Sequence, residues 1–459
     1  MLSKLLQPEI QSLIAERKLS FLKEILSDWS PADIADLIIS LPAQEQVIIF
    51  RLLSNELAAD TFEHLELETQ KELLTAMAKS EAAAILNEMS PDDRTALLED
   101  LPSAAAKQLI RLLSAEERRI ATTLLGYPEN SVGRLMTPDY IALKPDWTIE
   151  ETLNYIRETA EDKETLNIVY VIDDRGKLLD DIKIKDFILA RRDEYVSDIM
   201  DGNFVTLKVE DDQEDAVEVF KKYDRIALPV VDNFDVLIGI VTVDDVLDVA
   251  EEEATEDMQK IAAVEVFEEP FPTISLFAMI KKRAFWLTIL FVAQILTAIV
   301  MGFFENEISK AVVLSIFIPL IISSGGNSGS QAATLVIRAM ALGEITLSDW
   351  WHIMKREIFS GLMIGLMLGL LGFCQVGVLA NLSDTIGAHW ILIGITVAIS
   401  ILGIVLWGTL SGSMLPFVLK KFGADPATSS TPLVTTIVDV TGLLIYFTVA
   451  ILILSGSLL

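Results

Sequence analysis

One acid stands alone in the most apolar part of the chain. Asp439 follows Thr435 and Thr436 and precedes Thr441 and Gly442, inside an otherwise uncharged run from 432 to 456. A carboxylate at mid-membrane depth costs at least about 2.5 kcal/mol and usually serves a pathway for an ion, proton or substrate. The other reading is a structural acid, protonated or hydrogen-bonded to a neighbouring helix. No Lys or Arg lies inside the apolar stretches to pair with it, which favours a mobile cation. A second feature is the run Ser323-Ser324-Gly325-Gly326-Asn327-Ser328-Gly329-Ser330-Gln331, which is expected to interrupt another apolar stretch. Small residues there suit close helix packing. Broken backbone at that depth is tolerated where it is buried or lines a cavity, so packing and pore lining both remain open. The run has no phosphate-loop lysine, which argues against nucleotide binding at this point.

The third feature is a concentration of carboxylates. From Asp244 to Asp257 there are eight acids in 14 residues and no base. Leu247, Ala250, Ala254, Met258 and Ile261 share one helical face, and Asp245, Asp248, Glu252 and Glu256 share another. Like charges at that spacing cost a helix a few tenths of a kcal/mol each. A solvated linker is the bland reading. The apolar stripe points to a packed helix instead, whose acids then need a counter-cation, and hard oxygen ligands suit Mg²⁺ or Ca²⁺.

These residues sit in two unlike halves. The chain of 459 residues carries 67 acids and 36 bases. From Phe271 onward there are eight acids and nine bases, so 59 acids and 27 bases precede it, a balance of −32. The acidic half repels nucleic acid and attracts cations. In the second half, apolar stretches near 284–303, 311–337, 357–380, 389–417 and 432–456 are each long enough to cross a bilayer. Lys281, Lys282 and Arg283 precede the first, Arg338, Lys355 and Arg356 lie between the second and third, and Lys420 and Lys421 between the fourth and fifth. The alternate loops hold Glu305, Glu307, Lys310 and Asp384. The positive-inside rule then makes the acidic half cytoplasmic and the C-terminus external, in a multi-pass protein of the cell membrane with lipid as its neighbour. Met1 to Lys18 reads as an amphipathic helix and not as a signal peptide. Cys374 is a lone cysteine, so no disulfide framework exists, and three scattered histidines make zinc or haem sites unexpected.

The acidic half contains two internal repeats. Ser30-Pro31-Ala32-Asp33 and Ser90-Pro91-Asp92-Asp93 each supply an N-cap serine, a first-turn proline and first-turn acid, 60 residues apart, and each is followed by Leu-Pro at Leu41-Pro42 and Leu101-Pro102. Residues 8 to about 127 are therefore expected to form an all-helical superhelix. Met136 to Leu153 then matches Met200 to Val217 at an offset of 64, and Val171-Ile172-Asp173 matches Val230-Val231-Asp232 at 59. Each copy reads strand, helix, strand, turn, strand, helix. The pattern resembles a tandem pair of CBS domains, ligand-sensing modules often used for adenosyl nucleotides. Thr242 and Asp245 fit that family's Thr-x-x-Asp ribose pattern, whereas the first copy has Lys183 in place of the threonine.

The order of parts, with Gly325-Gly326-Asn327-Ser328-Gly329, Asp425-Pro426-Ala427 and the stretch from Pro432 to Leu443, resembles the bacterial MgtE magnesium transporter family over nearly the whole chain. The resemblance implies a helical-repeat N domain (1–130), CBS domains (131–199 and 200–245), an acidic connecting helix (246–270) and an all-α bundle of five transmembrane helices (271–459). It implies a homodimer with Asp439 of both subunits at a central pore, and Asn327, Ser330, Thr431, Thr435 and Gly442 as pore-lining candidates. Mg²⁺ gives up water reluctantly, so a largely hydrated ion is expected there. Residue-by-residue matching implies regulatory Mg²⁺ ligands at Asp92 and Asp93, at Asp212, Glu214, Asp224 and Asp245, at Asp248, Glu253, Glu256 and Asp257, and at Asp425. At high Mg²⁺ the ions would neutralise these carboxylates and dock the domains, closing the pore. ATP is an implied CBS ligand at Thr242 and Asp245, where Arg225 departs from the family pattern; Ser330 and Thr431 depart from it at the pore mouth. The alternatives are a membrane-tethered CBS sensor without transport and a carrier for another divalent cation. Asp439 argues against a mere anchor, and no catalytic constellation suggests an enzyme.

Overall fold

The computed structural model describes residues 2–161, 163–267, 271, 274–382 and 389–458. Asp384, counted above among the loop acids, lies outside them. The chain forms two compact units, Met1–Glu251 and Glu252–Leu459.

The first unit begins with helices whose 60-residue repeat runs further than the sequence signals suggested. Helices Leu19–Leu26, Pro31–Ser40, Ala43–Phe50 and Asn55–Glu63 recur as Lys79–Glu88, Pro91–Glu99, Ser103–Ile110 and Ala115–Leu124, each starting 60 residues later. Proline at the first turn and serine caps punctuate them: Ser30 accepts from the Asp33 amide at 3.2 Å and Ser114 from the Glu117 amide at 3.1 Å. The expected side-chain cap at Ser90 is not made. Its hydroxyl donates to Asp93 Oδ2 instead (2.7 Å), and the Asp93 amide turns to Asp92 Oδ1 (3.1 Å). Leu22, Leu26, Ile34, Ile38 and Phe62 fill the core, and each such side chain contributes about 1.5–3 kcal/mol by leaving water. One departure from the repeat's apolar pattern is matched by a partner. Arg94 stands at the position of buried Ile34 and pairs with Glu117, which stands at the position of Leu57. Arg94 also donates to the carbonyls of Leu86 (3.0 Å) and Met89 (3.2 Å), as a buried charge requires.

The two CBS-type copies follow. The first contains β1 (Ala142–Leu143), α1 (Ile149–Thr159), β2 (Ile168–Ile172) and β3 (Leu178–Lys183); the second contains β4 (Leu207–Lys208), α2 (Gln213–Tyr223), β5 (Ala227–Val231) and β6 (Leu237–Thr242). Each makes a three-stranded sheet, with the first pair parallel and the second antiparallel. Ile168, Tyr170, Leu178, Val231, Leu237 and Ile240 form one apolar cluster drawn from both copies. The lead-in segments are exchanged. Before the first copy, Val132 and Gly133 donate to Asp211 and Val209 of the second, at 2.9 and 3.0 Å. Before the second, Val196 and Ser197 donate to Trp147 and Pro145 of the first, at 2.9 and 3.0 Å.

From β6 the chain enters α3 (Val243–Ile261). The apolar stripe expected to pack does so only at its end: Leu247, Ala254 and Met258 are exposed, Ile261 packs against the core of the second unit, and Val246 and Val249 are the buried residues. Val246 follows directly from β6 and joins the core of the second copy, which fixes the rotation of the helix.

The second unit holds five helices long and apolar enough to cross a membrane: Leu276–Phe303, Val312–Ala341, Leu347–Leu382, Trp390–Lys421 and Thr431–Leu454. Their α-helical parts are α4 (Leu276–Phe303), α5 (Ile318–Ala341), α6 (Trp350–Leu382), α7 (Trp390–Lys421) and α8 (Thr431–Leu454). The Ser323–Gln331 run was expected to break its helix; it does not. The irregular part is the 3₁₀ turn Val312–Phe317, before Pro319, and α5 then passes unbroken through the glycines. In a bilayer an unbroken helix satisfies its own backbone groups. The glycines serve close approach instead: a Cβ on Gly408 would lie 2.5 Å from the Gly325 carbonyl oxygen, and one on Gly412 would lie 2.1 Å from that of Gly329. These contacts are with backbone, which cannot rotate aside. Gly412→Ala should therefore push α7 off α5 and cost about 1–3 kcal/mol or more, read as a lower thermal-aggregation temperature in detergent; an unchanged temperature would mean that the helices part freely.

Candidate cation sites

Asp439 lies on α8 and is 9 % exposed. Its Oδ2 accepts from Gln294 Nε2 of α4 at 3.1 Å, and its Oδ1 has no hydrogen-bond partner among the described residues. Gly326 lets the carboxylate come close to α5: a Cβ there would be 3.9 Å from Asp439 Oδ1 and 3.0 Å from Thr435 Cγ2. The neighbouring hydroxyls link the two helices, with Ser330 Oγ 3.0 Å from Thr435 Oγ1, which itself donates to the Thr431 carbonyl at 2.9 Å. Thr431 Oγ1 donates to the Ile261 carbonyl (3.3 Å). Ser323, Asn327 and Gln331, four residues apart, form an exposed polar face of α5, and Asn327 Nδ2 donates to Ser323 Oγ at 3.3 Å. Gly442 is buried one turn beyond Asp439. The Gln294 contact is the neighbouring-helix hydrogen bond of the structural reading of Asp439, for which the sequence offered no particular partner.

The end of α3 carries a second group. Lys260 Nζ lies 2.6 Å from Asp425 Oδ2 and also pairs with Glu256. Burial opposes the Lys260 charge, but the two carboxylates outweigh it and raise its pKa above the ordinary value. Burial, and then the charge of Asp425, push Asp257 up to about 6. Glu253 adds to that field. Lys260 was missed because only the base-free window up to Asp257 drew attention.

A third group forms inside the first unit. Asp92 is buried, and desolvation raises its pKa well above the usual range, with Asp245, Asp93 and Glu164 adding repulsion. Burial pushes Asp245 up to about 7, against the pull of Thr242, whose hydroxyl donates to it at 2.5 Å. Glu63 also reaches about 7, through burial and then Asp93, while accepting from the Ser90 amide at 2.8 Å. Burial and Asp93 raise Asp248 as well. Asp92, Asp93, Asp245 and Asp248 thus come together, although the resemblance implied Asp245 as a ligand alongside Asp212, Glu214 and Asp224, and Asp248 alongside the other acids of the connecting helix. Asp244, the first acid of the 244–257 run, joins them, and so do Glu63 and Glu164 without any sequence signal, since only the tertiary fold makes them neighbours. Asp212 instead caps α2, accepting from the Glu214 amide at 3.0 Å, and Asp224 takes a left-handed conformation (φ 49°) at the other end of that helix. Among the described residues no three His, Cys, Asp or Glu side chains converge to coordinate one ion directly. Desolvated, mutually repelling carboxylates still suit a hydrated divalent ion, which binds through its water shell.

A cleft of about 430 Å³ lies at the first copy's end of the CBS pair, not at Thr242. Asp180, Asp181, Asp186, Asp201 and Asp224 line it with Lys183, Lys185 and Arg225. Arg225 is engaged by Asp181 at 3.1 Å. Five acids against three bases fit a triphosphate poorly, and Thr242 and Asp245 are already bonded to each other.

Five spans, a CBS pair and an isolated intramembrane carboxylate define a membrane protein of the ion-handling class. Family models match as "Divalent cation transporter" (MgtE) over residues 318–449, as the MgtE intracellular N domain over 29–130, and as CBS domains over 132–193 and 196–252. The chain is 36 % identical over 450 residues to "Magnesium transporter MgtE" of Thermus thermophilus, covering 97 % of this chain and 98 % of that protein. It is 30 % identical to the protein of the same name from Bacillus subtilis, covering 95 % of each. It therefore belongs to the MgtE family. Among solved structures, the cytosolic domain of the Mg²⁺ channel MgtE in complex with ATP is similar (TM-score 0.51, 34 % identity, 53 % of this chain and 99 % of that one). So is the soluble part of a magnesium transporter (TM-score 0.52, 29 % identity, 55 % and 99 %).

Proposed function

We propose that this chain carries Mg²⁺ across the cell membrane, past Asp439, and that cytosolic Mg²⁺ shuts the path by binding the carboxylates of the first unit and of the Asp257–Asp425 region. The observation that carries the reading is the unpartnered Oδ1 of Asp439, held at membrane depth beside the hydroxyl-rich contact of α5 and α8. The names of the relatives supply Mg²⁺ as the ion. The polar face of Ser323, Asn327 and Gln331 has no place against lipid, so it belongs against water or a second subunit. Ile188 and Leu247, at matching positions of the two CBS copies, are 68 % and 64 % exposed, which also favours a homodimer. Inward movement gains roughly 4.6 kcal/mol per 100 mV for two charges, at about 2.3 each. The N-terminal half is then cytoplasmic, the C-terminus external and the domain ranges those given above. ATP plays no step in this scheme. The test is Mg²⁺ flux in vesicles as Mg²⁺ on the cytosolic side is varied: flux should fall toward zero as it reaches millimolar levels. Constant flux would remove the gating half of the reading, and absent flux at every level would remove transport.

A further inference from the structure

We propose that Lys260 is a tethered counter-cation, seated on Asp425 and Glu256 when no divalent ion is bound, so that a divalent ion fills this site only by displacing it. The inference rests on the gating reading and deepens it, because it names what sets the Mg²⁺ concentration at which this site responds.

The geometry allows one cation at a time. Asp425 Oδ1 is committed to the Ala427 amide at 2.8 Å. The Asp425 carbonyl accepts from Thr428 Oγ1 at 2.6 Å, which holds the residue in place. Oδ2 is held by Lys260 Nζ at 2.6 Å. The same ammonium reaches Glu256, one turn earlier on α3. A divalent ion at Oδ2, bare or hydrated, would need the space the ammonium fills. The site is built for exchange. The three side chains are about one-third exposed, and lysine is a point charge on a flexible stem that can swing into water. One positive charge also leaves the group under-neutralised: Asp425, Glu256 and Asp257 set three carboxylates against Lys260. A divalent ion matches the surplus better than the ammonium does, so exchange is favoured as Mg²⁺ rises, but against a built-in competitor.

The competitor has a measurable signature. In full-length protein in vesicles, the cytosolic Mg²⁺ that halves the flux should fall about fivefold in Lys260→Met. Lys260→Arg should raise it, because a guanidinium grips carboxylate with two parallel bonds. A parallel protease-protection titration with Mg²⁺ on the same samples should shift its midpoint in the same directions. If wild type responds to Mg²⁺ but Lys260→Met has an unchanged or higher midpoint, Lys260 is only a tie between α3 and the Asp425 loop, and the proposal fails. If Lys260→Met does not assemble, an unchanged midpoint in Lys260→Arg overturns it equally. Loss of Mg²⁺ dependence in wild type itself would instead overturn the gating reading.

Discussion

Replacing Asp439 by alanine is expected to lower Mg²⁺ flux into vesicles at least about 100-fold while the protein still assembles. The size follows from the environment: at 1.4 kcal/mol per tenfold, such a loss needs only about 2.8 kcal/mol, close to the cost of holding one carboxylate at membrane depth. That cost is tolerated only if the charge is used. Asp439→Asn separates charge from shape, because an amide oxygen can still accept from Gln294. It should lose flux nearly as fully as alanine. Wild-type flux in either variant, with the same elution volume in detergent, would remove Asp439 from the ion path. Gln294 holds the carboxylate on one side only, leaving Oδ1 for an ion's water shell.

The acid group of the first unit should make the divalent-free protein sensitive to pH between about 6 and 8. Burial raises Asp245 and Glu63 to about 7 in the folded arrangement, from ordinary values near 4. A raised folded pKa contributes stability that is complete below the unfolded value and lost as pH rises through the folded one. Without Mg²⁺, the contacts around Asp92 and Asp245 should therefore loosen as pH passes 7, and proteolysis within the first unit should quicken about tenfold between pH 6 and 8. With saturating Mg²⁺ the bound charge replaces the proton, and the rate should stay flat. Asp245→Asn should shrink the divalent-free dependence. A divalent-free profile as flat as the Mg²⁺ one would show that these carboxylates do not carry the coupling.

How far the sequence went depended on the range of each signal. Asp439 was legible because an acid among apolar residues is conspicuous without any tertiary knowledge. The helix starts at Pro31 and Pro91 were equally local, and they marked a repeat that the fold extends to four helices per copy. The glycine run was misread as a break because glycine lowers helix propensity in water; in a membrane the unmade hydrogen bonds matter more, and the same glycines become a contact surface. The stripe of Leu247 and Met258 obeyed helical spacing, yet the junction with β6 set which side of α3 is buried. Glu63, Glu164, Gln294 and Lys260 acquire their meaning only from partners far along the chain, and spacing carries no trace of such pairs.

The exchange of lead-in segments between the two CBS copies makes the copies inseparable as objects of folding and of descent. Loop carbonyls of each copy are satisfied by a segment that belongs, by sequence order, to the other copy. Separating the copies would leave the carbonyls of Val209, Asp211, Trp147 and Pro145 without these donors. The same reciprocity means that a strain felt in one copy is delivered to the other through hydrogen bonds, without a moving linker. A repeat that arose by duplication has in this way become a single mechanical part, and substitutions near Val132 or Val196 are constrained by the neighbour's geometry as much as by their own.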